Sequence, residues 1–197
     1  MDIQYFFTPV SPWAYLGHER FCAIAKAVSA RVEVLPVDYG AIFPISGGLP
    51  LAKRAPQRQA YRLVELKRFS QWLNVPLVVQ PKFFPVDGTA ASRLIIATQQ
   101  AAGPQAALTL TGAMMRSVWA EQRNLADRDT LAALLAENSL AAALLAQSDA
   151  PELAAAYEAN TQRAIATGVF GAPSYVVEGE IFWGQDRLEF LERRLRA

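Results

Sequence analysis

Strand-like sequence is confined to the two ends of this chain, and almost everything between them is built from helix formers. Residues 3–7 are short, apolar and aromatic, and residues 31–37 alternate and are rich in valine, so both read as strands. Between them, Ser11-Pro12 offers an N-cap followed by proline at the first helical position, which predicts a helix over residues 12–27. At the far end, residues 174–177 and 181–183 flank Glu178-Gly179-Glu180 as a hairpin. Asp186 then stands where it would cap a last helix over residues 187–195. Only a small sheet, assembled from both ends, can come from such a distribution. The middle must pack as helices around it.

That middle is punctuated rather than continuous. Residues 39–51 read as a loop, with Gly40, Pro44, Gly47, Gly48 and Pro50. Residues 56–73 read as a helix, and residues 76–88 as irregular chain carrying Pro76, Pro81, Pro85 and Gly88. Residues 89–167 are alanine-rich with leucine at helical spacing. Breaks at Gly103-Pro104, Asn138-Ser139 and Asp149-Ala150-Pro151 divide them into four or five helices, and Gly168 closes the block as a C-cap. A β-α-β opening and a β-β-α ending are the inventory of an α/β, thioredoxin-like fold with an all-helical insertion. The expected division is residues 1–50 and 165–197 for the thioredoxin-like domain and 51–164 for the inserted helical domain.

Composition narrows the function. Hydrophobic residues make up 52% and charged residues 19%, which excludes a disordered chain. A net charge of +1 supplies no field to hold a phosphate backbone, so no nucleic-acid partner is expected. The single cysteine, Cys22, excludes an internal disulfide, and the single histidine, His18, argues against a histidine-rich metal site and a Ser-His-Asp triad. No metal is expected. The start shows no basic segment followed by an apolar run, and the longest uncharged stretch, residues 94–115, is too polar to span a membrane. The expectation is a soluble cytoplasmic protein without a membrane partner.

Three segments could carry chemistry. Ser11-Pro12-Trp13-Ala14 lies at the first strand–helix junction, where a thioredoxin-like fold exposes helix N–H groups and positive potential. Redox proteins of this fold place Cys-x-x-Cys there to hold a thiolate. Ser11 and Ala14 occupy those positions here, which removes dithiol chemistry but leaves a hydroxyl able to donate to a ligand's thiolate. The plain alternative is a helix cap. In Gly168-Val169-Phe170-Gly171-Ala172-Pro173, a proline directly before a strand is a candidate cis-proline whose preceding residue could pair with an extended peptide. The plain alternative is a loop proline. In Trp183-Gly184-Gln185-Asp186, Gln185 and Asp186 could hold an ammonium group, or Asp186 could simply cap the helix. Cys22 reads as a small core residue, His18 as a partly exposed helix residue, and Trp13, Trp72 and Trp119 as packing residues, with Trp13 close enough to Ser11 to form a pocket wall.

Taken together, residues 7–17 (F-x-x-x-S-P-W-A-Y-L-G), 168–174 (G-V-F-G-A-P-S) and 182–188 (F-W-G-Q-D-R-L) resemble the 2-hydroxychromene-2-carboxylate isomerases. That family is related to kappa-class glutathione transferases and to DsbA-type oxidoreductases, and the resemblance covers essentially the whole chain. It implies glutathione as cofactor. Ser11 matches the catalytic serine that stabilises the glutathione thiolate. Ala172 matches the residue whose backbone pairs with the cysteinyl part, and Trp183, Gly184, Gln185 and Asp186 match the segment binding the γ-glutamyl end. Substrate contacts fall on Phe43, Lys53, Arg54 and Phe84. Arg54 keeps the cation expected for a carboxylate, whereas Phe43 replaces a lysine, Phe84 a tyrosine, and Gly48 an asparagine often seen in kappa-type relatives.

The resemblance therefore implies an isomerase of aromatic hydrocarbon catabolism, interconverting 2-hydroxychromene-2-carboxylate and trans-o-hydroxybenzylidenepyruvate or a related aromatic 2-oxo acid. The steps would be thiolate addition, bond rotation and elimination. A homodimer is also implied. Two alternatives stand beside it: a kappa-like glutathione transferase that keeps the conjugate, and a non-catalytic thioredoxin-like binding protein holding a partner strand at Pro173.

Overall fold

A computed structural model describes all 197 residues. Its four strands are β1 (Asp2–Phe7), β2 (Arg31–Pro36), β3 (Ser174–Val177) and β4 (Glu180–Trp183), joined in one sheet in the order β2-β1-β3-β4. β1 runs parallel to β2 and antiparallel to β3, and β3 pairs antiparallel with β4. The two ends of the chain thus meet in the middle of the sheet, where Tyr5 lies opposite both Val34 and Tyr175.

The eight helices are α1 (Pro12–Ala27), α2 (Tyr39–Ser46), α3 (Pro56–Leu73), α4 (Thr89–Trp119), α5 (Arg128–Glu137), α6 (Ala143–Gln147), α7 (Pro151–Thr167) and α8 (Leu188–Arg196). α4 is bent where Gly103 takes φ 84° before Pro104. No helix is long and apolar enough to cross a membrane.

Strand alternation sorts the core into two faces. Ile3, Tyr5 and Phe7 join Tyr175 and Val177 on one side, packed with Phe21 of α1, Leu94 of α4 and Leu191 of α8. The rings of Tyr5 and Tyr175 both close on Phe21, at 4.7 and 4.6 Å between centroids. Each such ring contributes about 1.5–3 kcal/mol by leaving water. Phe6, Leu35 and Val176 point the other way, onto Tyr39 and Ile42 of α2 and Ala164 of α7. Helices therefore cover both faces and leave one end of the sheet to loops.

Several expectations are corrected. Residues 39–46 are helical, not loop: the Asp38 carboxylate accepts from the Gly40 N–H at 2.7 Å, and Gly47, at φ 76°, stops the helix one turn after Pro44. Asp186 does not cap the last helix. Gly184 takes φ 104°, a 3-10 turn over Gln185–Arg187 intervenes, and α8 starts at Leu188 with no side-chain cap. The Asp186 carboxylate pairs instead with Arg187 at 3.0 Å. Trp72 is 71% exposed, so it does not pack in the core. His18 is buried, because Gly112 on α4 lets that helix approach the imidazole to within 3.0 Å of where a Cβ would stand.

A candidate active site at the loop end of the sheet

Ser11 sits at the helix start that the sequence predicts. Its backbone is extended (φ −80°, ψ 121°), Pro12 follows at the first helical position, and its Oγ accepts from the Ala14 N–H at 3.2 Å. Because the oxygen is the acceptor in that bond, the hydroxyl proton remains available to an anion above the helix end. The first turn of α1 contains no acidic residue to neutralise the helix dipole.

The turn before β3 borders the same cavity as this helix end. Gly168 closes α7 at φ 85°, and the Ala172–Pro173 bond is cis, as is Phe84–Pro85. The Gly171 carbonyl accepts from the Tyr39 hydroxyl at 2.8 Å and the Ser174 hydroxyl at 2.7 Å. Burial pushes the Tyr39 phenol well above its usual range, so it stays a donor. A Cβ on Gly171 would lie 2.2 Å from Trp183 Nε1, so the indole rests on bare backbone. Trp183 stacks edge-on with Phe170 at 4.8 Å.

The Gly184–Asp186 segment is pinned from beneath. The Arg20 guanidinium donates to the Gln185 backbone carbonyl at 2.8 Å and, more closely still, to its side-chain oxygen. Gly17 allows the contact, since a Cβ there would lie 2.7 Å from Gln185 Cβ. Gln185 is consequently buried, and Arg20 engages its side-chain oxygen.

Two cavities open at this end. One, of about 570 Å³, is bounded by Ala172, Trp183, Gly184, Gln185 and Asp186, facing α3. The other, of about 830 Å³, is bounded by Ser11, Phe43, Arg54 and Phe84 among others. Trp13, Arg54, Arg58, Arg62, Ala172 and Trp183 border both, so the two communicate along α3. Lys53 is exposed and borders neither. A third depression, of about 820 Å³, lies at the opposite end of the sheet among the ion pairs Asp2–Arg31 and Glu33–Arg163, and holds none of the candidate residues.

Arg58, Arg62, Tyr39 and Arg20 were not singled out by the sequence. One signal for Arg62 was present: it precedes Leu66, the buried residue of α3, by one helical turn. Its guanidinium lies 5.4 Å from the Phe84 ring centre and 5.8 Å from that of Trp119. Burial, with Arg54 nearby, lowers its pKa to about 10. Arg54 is lowered too, by burial and then by Arg58. Across the two cavities Arg54, Arg58, Arg62 and Arg187 face the carboxylates of Asp38, Glu65 and Asp186. Cys22 lies outside both cavities, and burial pushes its thiol up to about 12, so it is no nucleophile.

The profile of the DSBA-like thioredoxin domain matches residues 2–196. A 2-hydroxychromene-2-carboxylate isomerase of Sphingobium xenophagum is 27% identical over 195 residues, covering 98% of this chain and 97% of that one. Glutathione S-transferase kappa 1 of Rattus norvegicus is 22% identical over 200 residues, covering 96% and 88%. Among solved structures, a 2-hydroxychromene-2-carboxylate isomerase superposes with a TM-score of 0.83 at 22% identity, over 100% of this chain and 95% of that one. The cytosolic disulfide reductase DsbM from Pseudomonas aeruginosa, solved with GSH, gives a TM-score of 0.72 at 19% identity, over 100% of both.

Proposed function

The chain belongs to the DSBA-like thioredoxin family, and from that premise we propose that it is a glutathione-dependent isomerase of the 2-hydroxychromene-2-carboxylate type. The observation that carries the proposal is a serine, with alanine three residues on, at the dipole end of α1 beside the Ala172–Pro173 turn. Such an end can stabilise a borrowed thiolate but cannot form a dithiol. Similarity along nearly the full length to proteins named as isomerases supports the choice of reaction.

The residues present suit glutathione. The 570 Å³ cavity offers a backbone edge at Ala172, an indole wall at Trp183, a carboxylate at Asp186 for an ammonium group, and Arg58 and Arg187 for carboxylates. Ser11 opens on the adjoining space. Bound glutathione would supply a thiolate that adds to the conjugated double bond of the substrate, permits rotation and is expelled. Ser11 and the α1 N–H groups favour the anionic sulfur. Ala172 fixes the peptide in extended form. Phe43 and Phe84 exclude water from an aromatic substrate, and Arg54 holds its carboxylate. The proposal includes a cytoplasmic homodimer that takes a small aromatic carboxylate and binds neither nucleic acid nor membrane.

The test is product analysis with 2-hydroxychromene-2-carboxylate and trans-o-hydroxybenzylidenepyruvate, with and without glutathione. Interconversion that needs glutathione but leaves it unconsumed is the expected result. A stable thioether would establish the transferase, which the kappa-class relative favours. Absence of both reactions and of glutathione binding would leave a binding protein.

A further inference from the structure

Of the cations around the larger cavity, Arg62 is the one whose surroundings most demand a ligand. Its pKa is lowered by burial and by a second guanidinium, Arg54, and no carboxylate acts against those two effects. It forms no ion pair, whereas its helix neighbour Arg68 is neutralised by Glu65 at 2.7 Å. Its position is nonetheless fixed, because the guanidinium rests on two aromatic rings, Phe84 and the fully buried Trp119. A half-buried, oriented and unpaired guanidinium lowers its free energy by taking up an anion, and its planar fork favours two coplanar oxygens over one.

We propose that Arg62 is the specificity-determining cation of the acceptor cavity, where it takes the planar pair of oxygens presented by a 2-oxo acid. This rests on the isomerase reading above and deepens it: Arg62, rather than Lys53, partners Arg54. It also gives Phe84 a purpose. A phenyl ring without a hydroxyl is a shelf for the guanidinium and offers it no competing acceptor. Arg62 borders the glutathione-sized cavity as well, so the alternative destination of its charge is a glutathione carboxylate.

The experiment uses oxalate, which presents a coplanar oxygen pair on adjacent carbons as a 2-oxo acid does, and malonate as the equally charged control that does not, titrated calorimetrically into the protein without glutathione in a buffer free of carboxylate and phosphate. Oxalate is expected to bind at least about tenfold tighter than malonate, and Arg62→Gln is expected to lose about tenfold or more of that affinity, as for a lost charge-assisted pair. Arg62→Lys should keep part of the affinity but not the preference for oxalate. Glutathione affinity should stay within about twofold in both variants. In turnover, KM for the 2-oxo acid should rise while KM for glutathione holds. Equal oxalate binding by wild type and Arg62→Gln overturns the proposal, as does no oxalate binding by wild type. A loss confined to glutathione assigns Arg62 to the cofactor and overturns it too. If wild type binds oxalate through Arg62 but catalyses no isomerisation, the reaction assignment fails while the anion site stands.

Discussion

The ring of Phe43 lies directly on Gly48: a Cβ built on that glycine would fall 2.4 Å from Cδ1 and 3.0 Å from Cγ. The same ring tilts against Tyr39 at 5.5 Å, and Tyr39 holds the Gly171 carbonyl. One wall of the larger cavity is therefore continuous from Gly48 to the turn before Pro173. Position 43, where the isomerase resemblance leads one to expect lysine, and position 48, where kappa-type relatives often carry asparagine, are thus in direct spatial contact. An aromatic ring at 43 needs bare backbone at 48.

Gly48→Asn should therefore destabilise the protein by about 1–3 kcal/mol, the usual cost of forcing a packed side chain aside. In a Phe43→Lys background the same substitution should cost markedly less, since a flexible chain can move away. Urea unfolding of the two single variants and the double variant checks this. The singles should sum to more than the double. Additive costs would show that the two positions do not communicate.

Ser11→Ala should act twice. Losing the bond from the Ala14 N–H costs about 1 kcal/mol of stability, as for other N-cap deletions. Losing the hydroxyl donor should leave glutathione bound but less ionised, with turnover down by one to two orders of magnitude, or about 1.4–2.8 kcal/mol. Thiolate ultraviolet absorbance followed against pH separates the roles. An unchanged bound-thiol titration with only a lower melting point would reduce Ser11 to a cap.

The sheet, α1 and the segments that border the candidate site were legible because each rests on local signals: alternating strands, a Ser-Pro start, a glycine stop. The α2 helix was not, because Gly40 and Pro44 are breakers in most contexts and only the Asp38 cap and burial of Tyr39 and Ile42 override them. Arg62 was hidden for a different reason. Its partners Phe84 and Trp119 are 22 and 57 residues away, and its spacing to Leu66 marks only a helix face, one that Arg58 shares. Burial of His18 likewise depends on a glycine almost a hundred residues on, at Gly112.

Gly171→Ala should expel the Trp183 indole, which occupies the space a methyl group would need. The expected outcome is a weaker KM for glutathione with KM for the aromatic substrate little changed, and a stability loss of about 1–3 kcal/mol. Steady-state kinetics with each substrate varied in turn, together with Trp fluorescence, reads both effects. Unaltered glutathione kinetics would detach Trp183 from the cofactor cavity.

Asp186→Ala tests the ammonium assignment. The carboxylate is part-exposed and shared with Arg187, so removing it should cost glutathione binding about 1.5–3 kcal/mol, nearer the lower figure. Calorimetry with glutathione and with a des-amino analogue decides it. The analogue should bind wild type and variant alike, and an equal loss for both ligands would show that Asp186 merely shapes the turn.

His18 sets a pH dependence of stability. Its Nε2 lies 3.0 Å from the Leu108 carbonyl, which can only accept, so Nε2 carries the proton and Nδ1 accepts from the Tyr5 hydroxyl at 3.4 Å. Cys22 Sγ is 3.6 Å away, and Glu19 at the helix rim favours the charged form slightly. Burial dominates and lowers the pKa below the usual value, so the folded protein holds His18 neutral. The unfolded chain takes up a proton near pH 6.5, as histidine ordinarily does. With more protons on the unfolded state, stability must fall as pH drops below about 6.5, by up to about 1.4 kcal/mol per unit, and His18 contributes no slope above about 7. Urea unfolding between pH 5 and 8 should show that decline in wild type. His18→Gln should be less stable at pH 8, where the histidine's hydrogen bonds are intact, yet flat across the window. If the decline persists in the variant, the carboxylates and not His18 are its source.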